Sequence, residues 1–159
     1  AIPAAGADAG ACGLLLSRGA DPSVRCRSGL SPLHIAVRAA GAEQPADAAH
    51  ADRARGRVAY ELFVNVAELM LASGRADPRQ FTRSASAYSG GSWERRGASG
   101  LTSTVTDVGK ACLHLAVEGC GGRTPMVSLL IEHAADVNAC EGEAEATPLH
   151  LALEACYDA

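Results

Sequence analysis

The chain has 159 residues and a net charge of −4, with 33 alanines against 31 Leu, Ile, Val and Phe together. Two Phe, three Tyr and one Trp argue against a β-sandwich or barrel, which draws on aromatic and β-branched side chains, and favour helices packed through small residues. No apolar run reaches the length of about 18 residues needed to cross a bilayer as a helix.

The first element ends in Leu14-Leu15-Leu16-Ser17-Arg18-Gly19-Ala20-Asp21. It reads as the tail of a helix, with Gly19 taking the left-handed position that stops it. A second helix is predicted from Ser31-Pro32-Leu33-His34-Ile35-Ala36-Val37. Ser31 offers an N-cap hydroxyl, and Pro32 suits the first turn, where no donor is lost. Leu33, Ala36 and Val37 make one apolar stripe. Residues 39–57 are Ala-rich and polar, and Pro45 breaks the run; they form an insertion expected as a helix extension or a loop.

Leu69-Met70-Leu71-Ala72-Ser73-Gly74-Arg75-Ala76-Asp77 repeats the first pattern, with Gly74 as its terminator. Residues 81–105 are rich in Ser, Gly and Arg and read as a flexible insertion. They hold Trp93 beside Arg95 and Arg96, and Ser84, Ser86 and Ser99 shortly after arginines. Ala111-Cys112-Leu113-His114-Leu115-Ala116-Val117 repeats the second pattern without its Ser-Pro start, so this helix is expected to lose both cap and proline. Thr124-Pro125 starts another helix, which runs through Leu129 and Leu130 to Ala134. There an alanine stands in the glycine slot, and strain is expected. Thr147-Pro148-Leu149-His150-Leu151-Ala152-Leu153 is the third copy of the second pattern.

The two patterns alternate. Asp21 to His34 is 13 residues, Asp136 to His150 is 14, and His114 to His150 is 36. Together they resemble the ankyrin repeat, a unit of about 33 residues with a T-P-L-H-x-A signature. The resemblance implies an all-α, ankyrin-type helical repeat solenoid of helix-turn-helix units with β-turn or hairpin fingers. Residues 1–24 are then a partial repeat (second helix and turn), and 25–80 a repeat interrupted by 39–57. The insertion 81–105 follows, then a repeat at 106–138 and a partial repeat at 139–159. In such units the histidine is expected to bond backbone of the adjoining turn. Leu14, Leu15 and Leu151 are expected to stay exposed at the two ends, which suggests part of a longer array.

Six cysteines at 12, 26, 112, 120, 140 and 156 contain no C-x-x-C. With no basic, apolar leader at the start, reduced thiols and a cytoplasmic or nuclear setting are expected. His34, His114 and His150 share one repeat slot, so they stand about a repeat apart, too far to share one metal. Cys112, His114, Cys120, His133 and Cys140 crowd the third unit but lack finger spacing. A metal-binding or redox role there is a remote alternative, and Cys112 with His133 as a nucleophilic pair a remoter one. Gly119-Cys120-Gly121-Gly122 lacks the Gly-Lys-Ser/Thr of a phosphate loop. No cofactor and no enzymatic activity are expected.

Charge is uneven. Residues 1–50 sum to zero, 51–110 to +3 and 111–159 to −7. An acidic last third argues against nucleic-acid binding there. The resemblance implies a protein-protein interaction scaffold that uses turn tips and the inner face of the first helices. Carried over slot by slot, the candidates are Arg27, Ser28, Leu30 and Arg38, then Asp107, Lys110 and Glu118, then Glu143 and Glu154. A regulatory ankyrin region of a larger enzyme or channel is the other reading.

Overall fold

The computed structural model describes residues 6–42, 50–82, 109–119, 124–142 and 145–157. Among the described residues there are six helices: α1 Gly6–Ser17, α2 Pro32–Ala42, α3 His50–Ala72, α4 Cys112–Gly119, α5 Pro125–Glu132 and α6 Pro148–Tyr157. They stack in two rows. The first helices α2, α4 and α6 pack in succession, and the second helices α1, α3 and α5 do the same behind them. Across the rows α2 packs on α3, and α4 on α5. This is the all-α, ankyrin-type arrangement.

The helix ends follow from the residues. Pro32, Pro125 and Pro148 are each the first helical residue, where a missing N–H leaves no bond unmade. Helix α1 stops at Gly19, φ 91°, and α3 at Gly74, φ 68°. Helix α5 closes the same way on Ala134, φ 63°. The Ala134 amide bonds the Ile131 carbonyl at 2.9 Å and the Ala135 amide the Leu130 carbonyl at 2.9 Å, so the helix end satisfies its carbonyls despite the strained alanine. The expected strain is therefore present as a left-handed residue carrying a Cβ.

Helix α5 differs from the expected start. Thr124 makes no side-chain cap bond and sits in the helical region. The open Met126 amide instead donates to the hydroxyl of Tyr60, on α3, at 3.1 Å. A tertiary contact between repeats replaces the local cap. Helix α4 starts at Cys112 without proline or hydroxyl, and the Ala111 amide donates to Nδ1 of His114 at 3.1 Å.

The main core joins both rows: Leu33 and Val37 of α2, Tyr60, Ala67 and Leu71 of α3, Leu113, Leu115 and Ala116 of α4, and Met126 and Leu130 of α5. Full burial of each large side chain contributes about 1.5–3 kcal/mol. Small residues set the spacing. A Cβ on Gly41 would stand 2.6 Å from Cα of Gly119, so the ends of α2 and α4 meet backbone to backbone. The insertion at 39–57 is helical on both flanks: α2 runs on to Ala42, and α3 begins at His50 and continues for 23 residues.

One expectation about the ends is corrected. Leu151 is buried, and the exposed leucines of α6 are Leu149 and Leu153. The reason is the helix phase: Leu151 faces back toward α4, while its neighbours two residues away face outward. Leu14 and Leu15 are exposed as expected. Trp93, Arg95, Arg96, Ser84, Ser86, Ser99 and Cys120 lie outside the described residues.

Candidate functional site

The turns after the second helices share one local structure. Asp21 accepts from the Ser23 amide at 2.8 Å, Asp77 from the Arg79 amide at 2.9 Å and Asp136 from the Asn138 amide at 2.9 Å. A carboxylate bonding the backbone two residues on folds the chain locally, so the repeat's aspartate builds each tip. The Ser23 hydroxyl also donates to Asp21 at 2.7 Å. These bonds hold the Asp21 carboxyl below its usual range.

Behind the tips, the histidines lock each unit to the next. In α2 the Ser31 amide donates to Nδ1 of His34 at 3.3 Å, and the Ser31 hydroxyl also bonds it at 2.6 Å. Nδ1 is thus an acceptor, and Nε2 carries the proton. Nε2 donates to the Gln80 carbonyl at 2.9 Å. His114 does the same one unit later, reaching the carbonyls of Ala139 at 3.0 Å and Ala146 at 3.1 Å. The expectation that these histidines tie adjoining turns therefore holds. His150 keeps the local half of the arrangement, with the Thr147 amide on Nδ1 at 3.2 Å, but is itself exposed.

Arginines reinforce the tips. Arg25 donates to the carbonyls of Gly29, at 3.0 Å, and Phe81. Arg79 donates through Nε to the carbonyl of Ala134 at 2.8 Å. Phe81 bridges antiparallel to Ala111. The Thr82 amide bonds the Lys110 carbonyl at 2.8 Å, and the Lys110 amide bonds the Thr82 hydroxyl at 2.9 Å. These pairings join residues 81 and 82 to residues 110 and 111.

The candidate surface residues divide by place. Arg27 is exposed beside the Cys26–Ser28 turn, where the Cys26 sulfur and the half-buried Ser28 hydroxyl are 2.8 Å apart. Arg38 is half-buried on α2, and Glu118 and Glu154 are exposed on α4 and α6. Leu30 is buried in the stack. Lys110 is buried as well: its ammonium pairs with Glu118 and lies 3.8 Å from Glu141. Asp107 and Glu143 lie outside the described residues. The structure thus sets Arg27 and Arg38 in the earlier unit and Glu118 and Glu154 in the later ones, with Lys110 joining units three and four from within.

Arg25 and Glu141 were missed in the sequence. Neither lies in a signature slot, and their roles depend on residues 56 positions away for Arg25 and 31 for Glu141.

Cys112 is buried, and burial, with the Asp77 carboxylate adding to it, pushes its thiol up to about 12. His133 lies at the end of α5. Among the described residues no three His, Cys, Asp or Glu side chains converge as a metal site would require.

Residues 108–141 match the family model described as "Ankyrin repeat". Fifty residues of the chain, 31% of it, are 46% identical to the NF-kappa-B inhibitor cactus of Drosophila yakuba, and 44% identical to that of Drosophila melanogaster. The matched stretch spans 10% of the length of either relative.

Proposed function

We propose that this stack of ankyrin-type repeats is a protein-protein interaction scaffold, and that its partner is a protein of the NF-kappa-B class. The protein partner follows from the repeat itself: the matched segment is an ankyrin repeat. The class follows from the names of the similar proteins, both inhibitors of NF-kappa-B. The observation that carries the reading is the rigid, one-sided arrangement of tips and first helices. Histidine and arginine bonds hold the tips to the helices, so little ordering is left to oppose binding.

The contact surface runs from Arg27 and Arg38 on the second unit to Glu118 and Glu154 on α4 and α6. A partner with the opposite gradient fits it, and charge then contributes to association rate and register. The test is calorimetric titration of the chain with purified NF-kappa-B protein at rising salt. Binding is expected to weaken with salt, and to weaken further in Arg27→Glu, Arg38→Glu and Glu154→Arg. No binding at low salt would remove this partner class. Binding indifferent to salt and to all three reversals would remove the surface.

A further inference from the structure

Three of the seven prolines follow a serine or threonine: Ser31-Pro32, Thr124-Pro125 and Thr147-Pro148. Each pair starts a helix, α2, α5 and α6 in turn. Each is also the kind of acceptor pair that a proline-directed kinase reads. The three differ in what their hydroxyls do. The Ser31 hydroxyl lies 2.6 Å from Nδ1 of His34, and Ser31 is 1% exposed. The Thr147 hydroxyl lies 2.8 Å from Nδ1 of His150. Both histidines stand three residues after the hydroxyl, and after Thr124 that slot holds Val127. Thr124 is exposed, and its hydroxyl makes no cap bond. An N-cap oxygen ordinarily takes the second or third amide of its helix. The second, that of Met126, already goes to Tyr60.

Thr124 and Pro125 form one side of a cleft of about 420 Å³, and α3 forms the other with Arg57, Tyr60 and Glu61 among its residues. Arg57 is exposed. Among the described residues no ion pair engages it. A phosphate on Thr124 would therefore stand at the positive end of the α5 dipole, in a cleft that holds a guanidinium. Glu61 shares the α3 wall, so the attraction draws on the helix end as well as on Arg57. Thr124 and Pro125 also lie at the first turn of their helix. Helix ends fray before the body of the fold opens, so a kinase can take this segment extended while the stack stays folded.

We propose that Thr124 is a phosphate-acceptor site for a proline-directed kinase, and that the helix end and Arg57 hold the phosphate at the start of α5. In the transfer, Oγ1 of Thr124 attacks the γ-phosphorus of a nucleoside triphosphate. The new O–P bond forms as the bond to the diphosphate oxygen breaks, and the hydroxyl proton passes to the base of the kinase. The product carries a charge of about −1.5 to −2 at neutral pH. It supplies the capping that the Thr124 hydroxyl does not, and it ties α3 of the second unit to α5 of the third. Both helices belong to the row of second helices, away from the first-helix surface assigned to a partner.

Incubation of the purified chain with a proline-directed kinase and ATP, read by peptide mass mapping, tests this. Phosphate should appear on Thr124 ahead of Ser31 and Thr147, and Thr124→Val should lack it. That side chain is exposed, so the variant should keep its fold, as circular dichroism would show. A synthetic peptide of residues 119–130 serves as the control for kinase activity. The phosphorylated chain should unfold about 2–4 °C above the untreated one. Arg57→Ala should remove part of that gain without changing the extent of phosphorylation. A peptide that is modified while Thr124 in the folded chain is not overturns the proposal. So does phosphate that appears first on Ser31 or Thr147. An unfolding midpoint left unchanged or lowered by the phosphate overturns its seat on α5, and a gain untouched by Arg57→Ala overturns the part given to Arg57.

Discussion

Nε2 of His34 donates to the carbonyl oxygen of Gln80, 46 residues further along the chain, at 2.9 Å. The ring is wholly buried, and its other nitrogen accepts from Ser31, at the start of the same helix. One side chain thus caps α2 and holds the turn that precedes the next unit.

This bond makes stability depend on pH. Burial pulls the His34 imidazole down to about 4 from an ordinary 6.5, with Arg25 adding to the shift. The folded chain therefore keeps the neutral ring while the unfolded chain takes up a proton. The contribution is complete above about pH 6.5 and is lost as pH falls toward 4, at about 1.4 kcal/mol per pH unit. Urea unfolding of the protein and of His34→Gln should show the two stabilities converging across that window. Parallel pH profiles would count against His34 as the titrating group.

The contact between Gly41 and Gly119 should tolerate no side chain. All three atoms nearest to an added Cβ belong to the Gly119 backbone, which cannot turn aside, so Gly41→Ala must push α2 from α4. A loss of roughly 1–3 kcal/mol is expected, although alanine is the better helix former. Thermal unfolding of Gly41→Ala measures it, and an unchanged or raised midpoint would mean that the two helices do not meet there.

Ala134 calls for the opposite change. At φ 63° its Cβ crowds the following carbonyl, and Ala134→Gly removes that conflict. A gain of about 1 kcal/mol is expected in chemical denaturation. The same substitution at Ala116, buried in a helix, should cost stability and serves as the contrast.

The thiols should separate by reactivity. Burial raises the Cys26 thiol, but hydrogen bonds from the Ser28 hydroxyl and nearby backbone outweigh it and lower the thiol below its usual value. Cys26 is exposed, whereas Cys112 is buried and pushed up to about 12. Brief iodoacetamide treatment near neutral pH, read by peptide mass mapping, should label Cys26 early and Cys112 only after unfolding. Early labelling of Cys112 would mean that the third unit opens readily.

The sequence alone determined the repeat. Pro32, Pro125 and Pro148 mark helix starts, Gly19, Gly74 and the misfit Ala134 mark helix ends, and the L-H-x-A stripe marks the buried face of α2 and α4. These are local signals, because dihedral preferences and helical periodicity act within a few residues. The apparent alanine excess also resolves locally: Ala36, Ala40, Ala67 and Ala116 are buried where helices meet. Only the tertiary structure decided the rest. Tyr60 caps α5, Arg25 reaches Phe81, Lys110 turns inward between Glu118 and Glu141, Gly41 meets Gly119, and Leu151 is buried while Leu149 is not. Each depends on which unit lies beside which, and on the phase of one helix against another. Spacing along one chain does not specify these, because the partners are brought together by packing across the stack.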